Sequence, residues 1–172
     1  MTIKYGLFAE QLSGTSFVVK RAENQRTWLY KLRPSVIEGK YAPSSYDYKI
    51  VGSFMNESEL KFDPNQYKWE KIPSVKEGEK KNFVEGLVSI AGSGDPTLKT
   101  GMSVYAYSAN KSMDKETFVN SDGDFLIVPF EGKLFLRTLM GKMVVEPKEI
   151  CVIPRGVKFS VDVEENVKGW IA

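Results

Sequence analysis

"EPKEICVIPRGVKFSVDV", residues 146–163, reads as a strand, a tight corner and a second strand. Pro154 and Gly156 make the corner, because proline presets one turn dihedral and glycine accepts the left-handed one. The segments on either side of it, "EICVIP" and "RGVKFSVDV", read as strands. Many small β-barrels place a metal-binding histidine about three residues after such a corner. Here that position holds Phe159.

The same patterning extends outward. "GMSVYAYSAN" (101–110) alternates Met102, Val104 and Ala106 against Ser103, Tyr105 and Tyr107. "TFVN", the turn "SDGD" and "FLIVPF" (117–130) read as a hairpin, and "EGK" leads into "LFLRTLM". "GK" at 141–142 reads as the next turn, into "MVVEP"; "GWIA" is a last short strand. Short strands with regular Gly and Pro punctuation predict a β-sandwich or barrel over residues 81–172. "KKNFVEGLVSIAG" (80–92) fits a helical face at Val84, Leu87 and Val88, but Gly86 weakens a helix, so a strand is expected. Residues 1–80 are looser. "TSFVVKR" (15–21) and "RTWLYKLRPSV" (26–36) read as strands, Pro34 ending or bending the second, and 38–80 as an irregular arm. No composition break divides the chain, so one domain of 172 residues is expected.

Composition narrows the chemistry. A chain of this length buries roughly 70% of its unfolded surface without disulfides. The one cysteine, Cys151, lies in the apolar run "EICVIP" and reads as a small buried hydrophobe. Lys and Arg number 24 against 22 Asp and Glu, too balanced for an electrostatic nucleic-acid surface. No apolar run approaches the ~20 residues of a membrane span. The N-terminus has no signal-peptide pattern, and an unpaired cysteine points to a reducing, cytoplasmic setting. The chain contains no histidine. Histidine-based iron and zinc sites, Ser-His-Asp triads and Cys-His pairs are thereby excluded. Asp122 and Asp124 in "NSDGDF" could contribute to a carboxylate site, but Asn-x-Asp-Gly between apolar strands is ordinary turn chemistry.

The second half resembles the cupin superfamily, implying a jelly-roll β-barrel or sandwich. Its first motif carries H-x-H and a following glutamate; aligned to it, "FVNSDGDFLIVPFEG" puts Phe118 and Asn120 at the histidines and Asp124 near the glutamate. Its second motif is matched by Pro154 and Gly156, and Phe159 stands at its histidine. A phenyl ring has no lone pair to donate, so these positions are expected to be core, with no cofactor in this chain.

"LFAEQLSGTSFVVKRAENQRTWLYKLRPSV" (7–36) is similar to the N-terminal part of the homogentisate 1,2-dioxygenase family. "DPNQYKWEKIP" (63–73), "FVEGLVSIAGSGD" (83–95) and residues 118–163 continue the resemblance in the same order. It implies an Fe(II)-dependent ring-cleaving enzyme of tyrosine and phenylalanine catabolism that turns homogentisate and O2 into maleylacetoacetate. The family's iron ligands lie in a C-terminal part that this sequence does not contain, so none is carried onto it. The resemblance also implies trimers paired into hexamers.

Two readings follow. In the first, the chain is the scaffold domain or a fragment of such an enzyme, inactive alone. It would pack against the C-terminal iron domain or other subunits through Trp28, Tyr30, Arg33 and the arm at 38–72. In the second, it is a stand-alone, non-catalytic binding or structural module. Self-association is expected through the end strand "KGWIA" with Trp170, taken as an unfinished strand with unpaired backbone groups.

Overall fold

A computed structural model describes residues 5–13, 19–37, 49–55, 71 and 74–172. The described residues form strands and short 3-10 turns, with no α-helix among them. Contacts divide the chain into two compact units, Met1–Ser45 and Tyr46–Ala172.

In the first unit, β1 (Phe8–Ser13) pairs antiparallel with β2 (Arg26–Lys31), Phe8 opposite Lys31 and Ser13 opposite Arg26. A two-stranded ribbon is marginal by itself, and polar bonds pin this one. The Glu10 carboxylate lies 2.9 Å from Lys31 Nζ and accepts from both the backbone N–H and the hydroxyl of Ser35. β2 ends three residues before Pro34, as expected of a residue that blocks the ladder. The strand expected over 15–21 is not borne out in its described part. Val19 and Lys20 are irregular and Arg21–Glu23 is a 3-10 turn, while residues 15–18 lie outside the described residues. The strand lies earlier, in "FAEQLS", where polar residues on both faces hide the alternation.

The second unit is a pair of antiparallel sheets. One has five strands in the order β3-β4-β10-β5-β8: β3 (Leu87–Asp95), β4 (Thr100–Ala109), β10 (Val167–Ile171), β5 (Phe125–Glu131) and β8 (Cys151–Ile153). The other has three in the order β7-β6-β9: β7 (Gly141–Val145), β6 (Leu134–Thr138) and β9 (Phe159–Asp162). Alternate residues of both sheets, among them Tyr107, Ile127, Ile171, Leu134, Leu136 and Val161, are fully buried in one core. Removing such side chains from water, at ~1.5–3 kcal/mol each, is what holds the sheets face to face.

Several connections differ from the sequence expectation. "TFVN" does not form a hairpin with β5. Phe118 makes an isolated antiparallel bridge to Phe159, and β5 lies between β10 and β8. The apolar run of β5 is legible in the sequence, but its neighbours are set by which apolar face meets which. The β6–β7 turn is at Leu139 and Met140, not at 141–142, because Thr138 pairs with Gly141 and its hydroxyl bonds both Met140 N–H and the Gly141 carbonyl. "KGWIA" is not an unfinished edge. β10 is hydrogen-bonded to β4 on one side and β5 on the other, and Ala172 continues the ladder by exchanging two bonds with Leu126. Pro129, which has no N–H to give, faces Gly169 where the register of that ladder shifts.

The strand expected in 80–92 starts at Leu87; before it, Asn82 and Glu85 close a single turn by reciprocal side-chain to backbone bonds. Gly86 then passes so close to β4 that a Cβ would sit 2.0 Å from the Ser108 carbonyl oxygen. Residues 49–55 run along the outer edge of β3, bonded at Ser89 and Gly94, and the Phe54 ring lies on Gly92. Gly86→Ala is accordingly expected to cost roughly 1–3 kcal/mol, because the obstacle is backbone and cannot rotate away; urea denaturation measures it. In the first unit, the Ser35 N–H and then Lys31 hold the Glu10 carboxyl down at about 2. Its contribution to the ribbon is therefore whole above the ordinary carboxyl range and lost as pH falls towards 2. Carboxyl-detected NMR titration is expected to find Glu10 still ionised at pH 3.

Candidate functional site

The site to test is the end of the sandwich where the corner at 154–156 meets the segment 118–124. Gly156, at φ +81°, turns the chain so that its N–H reaches the Asn120 carbonyl at 2.7 Å. The neighbouring Arg155 N–H donates to Asp124 Oδ1 at 2.8 Å. Asn120 also folds its own loop, its side-chain oxygen accepting the Asp122 N–H at 3.0 Å. Asn120 and Asp124 thus clasp the corner.

Just inside, Phe118 and Phe159 exchange backbone bonds of 2.8 and 2.9 Å, and their rings meet edge to face with centroids 5.7 Å apart. Phe125 lies 5.5 Å from Phe118 and 6.3 Å from Phe159, and Phe83 lies 6.1 Å from Phe159 on the far side. Phe159 is 1% exposed. Phe118 is half-buried, so its ring is the outermost layer of the plug. Above it opens a cavity of about 400 Å³ with Tyr105, Phe118 and Phe125 on its floor and Asn120, Asp122 and Arg155 at its rim. The Tyr105 and Phe125 rings lie 6.4 Å apart and 28° from parallel.

The structure therefore brings Phe118, Asn120, Asp124 and Phe159 together. Their chemistry does not fit a resident metal. The two phenyl rings cannot donate to one, and Asp124 and Asn120 already serve the corner. Among the described residues, no three of Asp, Glu, Cys or His lie close enough together to hold a metal ion. Sequence reading missed Tyr105 and Phe125 as cavity lining; the alternation in "GMSVYAYSAN" and the apolar run "FLIVPF" mark them only as strand residues. Asp122 is in the turn expected for it and faces the cavity.

Other reactive groups are inert here. Cys151 is buried, its thiol pushed up by desolvation, with Sγ 3.4 Å from Met143 Sδ. Burial likewise raises the Tyr107 phenol, whose oxygen has no hydrogen-bond partner among the described residues and rests against Gly169. Of the surface residues singled out by sequence, Trp28 and Tyr30 share one face of β2 and are 56% and 61% exposed; Arg33 is exposed beyond the strand. Trp170 lies in the other unit, 39% exposed on the outer face of the five-stranded sheet, beside Leu126, Val128 and Phe130. No helix among the described residues is long and apolar enough to cross a membrane.

A family model described as homogentisate 1,2-dioxygenase N-terminal matches residues 1–172. The homogentisate 1,2-dioxygenase of Drosophila melanogaster is 46% identical over 169 residues, 97% of this chain and 38% of that protein. Those of Dictyostelium discoideum and Mus musculus are each 46% identical, over 96% and 97% of this chain and 37% of theirs. The chain thus spans under two fifths of the length of these relatives. A solved cupin-2 domain protein from Shewanella frigidimarina is 20% identical, with a TM-score of 0.37 over 40% of this chain and 66% of that one.

Phe159→Ala is expected to destabilise the protein by ~3–5 kcal/mol, from lost burial and the cavity left behind. Phe159→His is expected to destabilise too without creating a metal site. Denaturant melts with and without added Fe(II) check both; a near-neutral Phe159→Ala would show that the ring does not bear on the core.

Proposed function

The chain belongs to the homogentisate 1,2-dioxygenase N-terminal family, and from that premise we propose that it is the scaffold portion of a ring-cleaving dioxygenase. The whole enzyme would convert homogentisate and O2 to maleylacetoacetate in tyrosine and phenylalanine breakdown, in the cytoplasm. Its Fe(II) would be held by residues outside these 172. The observation that carries this reading is the family match over the whole chain, together with a plugged sandwich mouth at which rings stand in for ligands.

As scaffold, the chain would supply packing surfaces. The outer face around Trp170, Leu126 and Phe130 is the apolar candidate in the second unit, for the iron-bearing part or for a second copy. Because β10 is paired on both sides, association would proceed through side chains on that face, without any strand being added. Trp28, Tyr30 and Arg33 are the candidates in the first unit, being residue types enriched at interfaces.

Purified alone, the chain is expected to bind no stoichiometric Fe(II) and to take up no O2 with homogentisate. Substituted for the matching segment of the Drosophila relative, it is expected to leave ring cleavage intact. O2 uptake by the lone chain, or a folded but inactive chimera, would overturn the reading. Trp170→Lys is expected to shift the lone chain towards monomer, seen by light scattering across concentrations.

A further inference from the structure

We propose that the cavity above the phenylalanine plug is a binding site for a small organic cation, a primary or quaternary ammonium group. Its volume of about 400 Å³ falls within the range of small-ligand pockets. Three rings, Tyr105, Phe118 and Phe125, are among its lining and lie in one chain of ring contacts of 5.5–6.4 Å. The faces of such rings carry the negative side of the ring quadrupole, which attracts cations.

The rim carries the complementary charge. Asp95, Asp122 and Asp124 line the cavity against Lys99 and Arg155, so carboxylates prevail. Asp95 is tied to Thr97, and Asp124 accepts from Arg155. The Asp122 carboxylate makes no hydrogen bond or ion pair among the described residues and faces the cavity from a loop held by Asn120. An anion would meet the prevailing negative charge. Among the described residues, no three acidic or thiol groups converge to hold a metal ion. An ammonium group finds both of its preferred kinds of partner in the lining, aromatic rings and a free carboxylate. The pairing of one aromatic floor with one unpaired acid distinguishes this cavity from a merely solvated turn.

The test uses the 172-residue chain, choline chloride and the uncharged isostere 3,3-dimethylbutan-1-ol, with sodium chloride matching ionic strength. Choline is expected to move the ring resonances of Phe118 and Phe125 and the amide of Asp122 in a saturable NMR titration. The isostere is expected to bind roughly two- to thirtyfold more weakly, the range a cation over aromatic faces supplies. Asp122→Asn should weaken choline roughly two- to fivefold, as for an exposed charge pair, and leave the isostere unchanged. Phe118→Leu should weaken choline more than the isostere; were it to unfold the chain, Asp122→Asn, on an exposed turn, decides alone. Absence of saturable shifts, equal binding of the isostere, or choline binding that Asp122→Asn leaves unaltered would each overturn the proposal.

Discussion

The second unit depends on one contact, the bridge between Phe118 and Phe159. Its two backbone bonds join the segment before β5 to the start of β9, and so connect the neighbourhood of the five-stranded sheet to the three-stranded one. Its two rings fill the end of the sandwich between Phe125 and Phe83. Edge-to-face aromatic packing adds to ordinary burial, and a group this deep has no water with which to replace lost contacts. Everything nearer the surface, the clasp at 154–156 and the cavity floor, is built on that layer.

The same layer sets the chemistry. A sandwich end lined with imidazoles offers lone pairs to a metal; lined with phenylalanine it offers only polarisable faces and volume. Two of the polar residues there bond the backbone, Asn120 its own loop and Gly156, Asp124 the N–H of Arg155. A family match over the whole chain and a mouth without ligands are consistent when the metal belongs to a different part of a longer protein, and the relatives are more than twice as long.

The outer face of the large sheet carries a different lesson. Its central strand, β10, is the last of the described strands and lies between β4 and β5. Residues far apart in sequence, such as Tyr105 and Ile171, are thereby paired, and the loop-closure entropy is recovered only once both ladders form. Trp170 is held outward by that placement.

Much was legible in the residues themselves. Short apolar runs with Gly and Pro punctuation located β4 through β10, though the alternation in β4 did not give its inward face, since Met102 is exposed and Tyr107 buried; Pro154 and Gly156 marked the corner; and the lack of histidine ruled out imidazole chemistry. Period two says which side of a strand is apolar, but nothing about which strand lies beside it. So "TFVN" was read with its sequence neighbour though it pairs with Phe159, the end strand was read as an edge though it lies inside, and "FAEQLS" passed unseen. Pairing partners, the clasp made by Asn120 and Asp124, and the ring floor under the cavity are long-range arrangements. They are decided only when the apolar faces of distant segments find each other, because that burial, and no local preference, carries the free energy that chooses among registers.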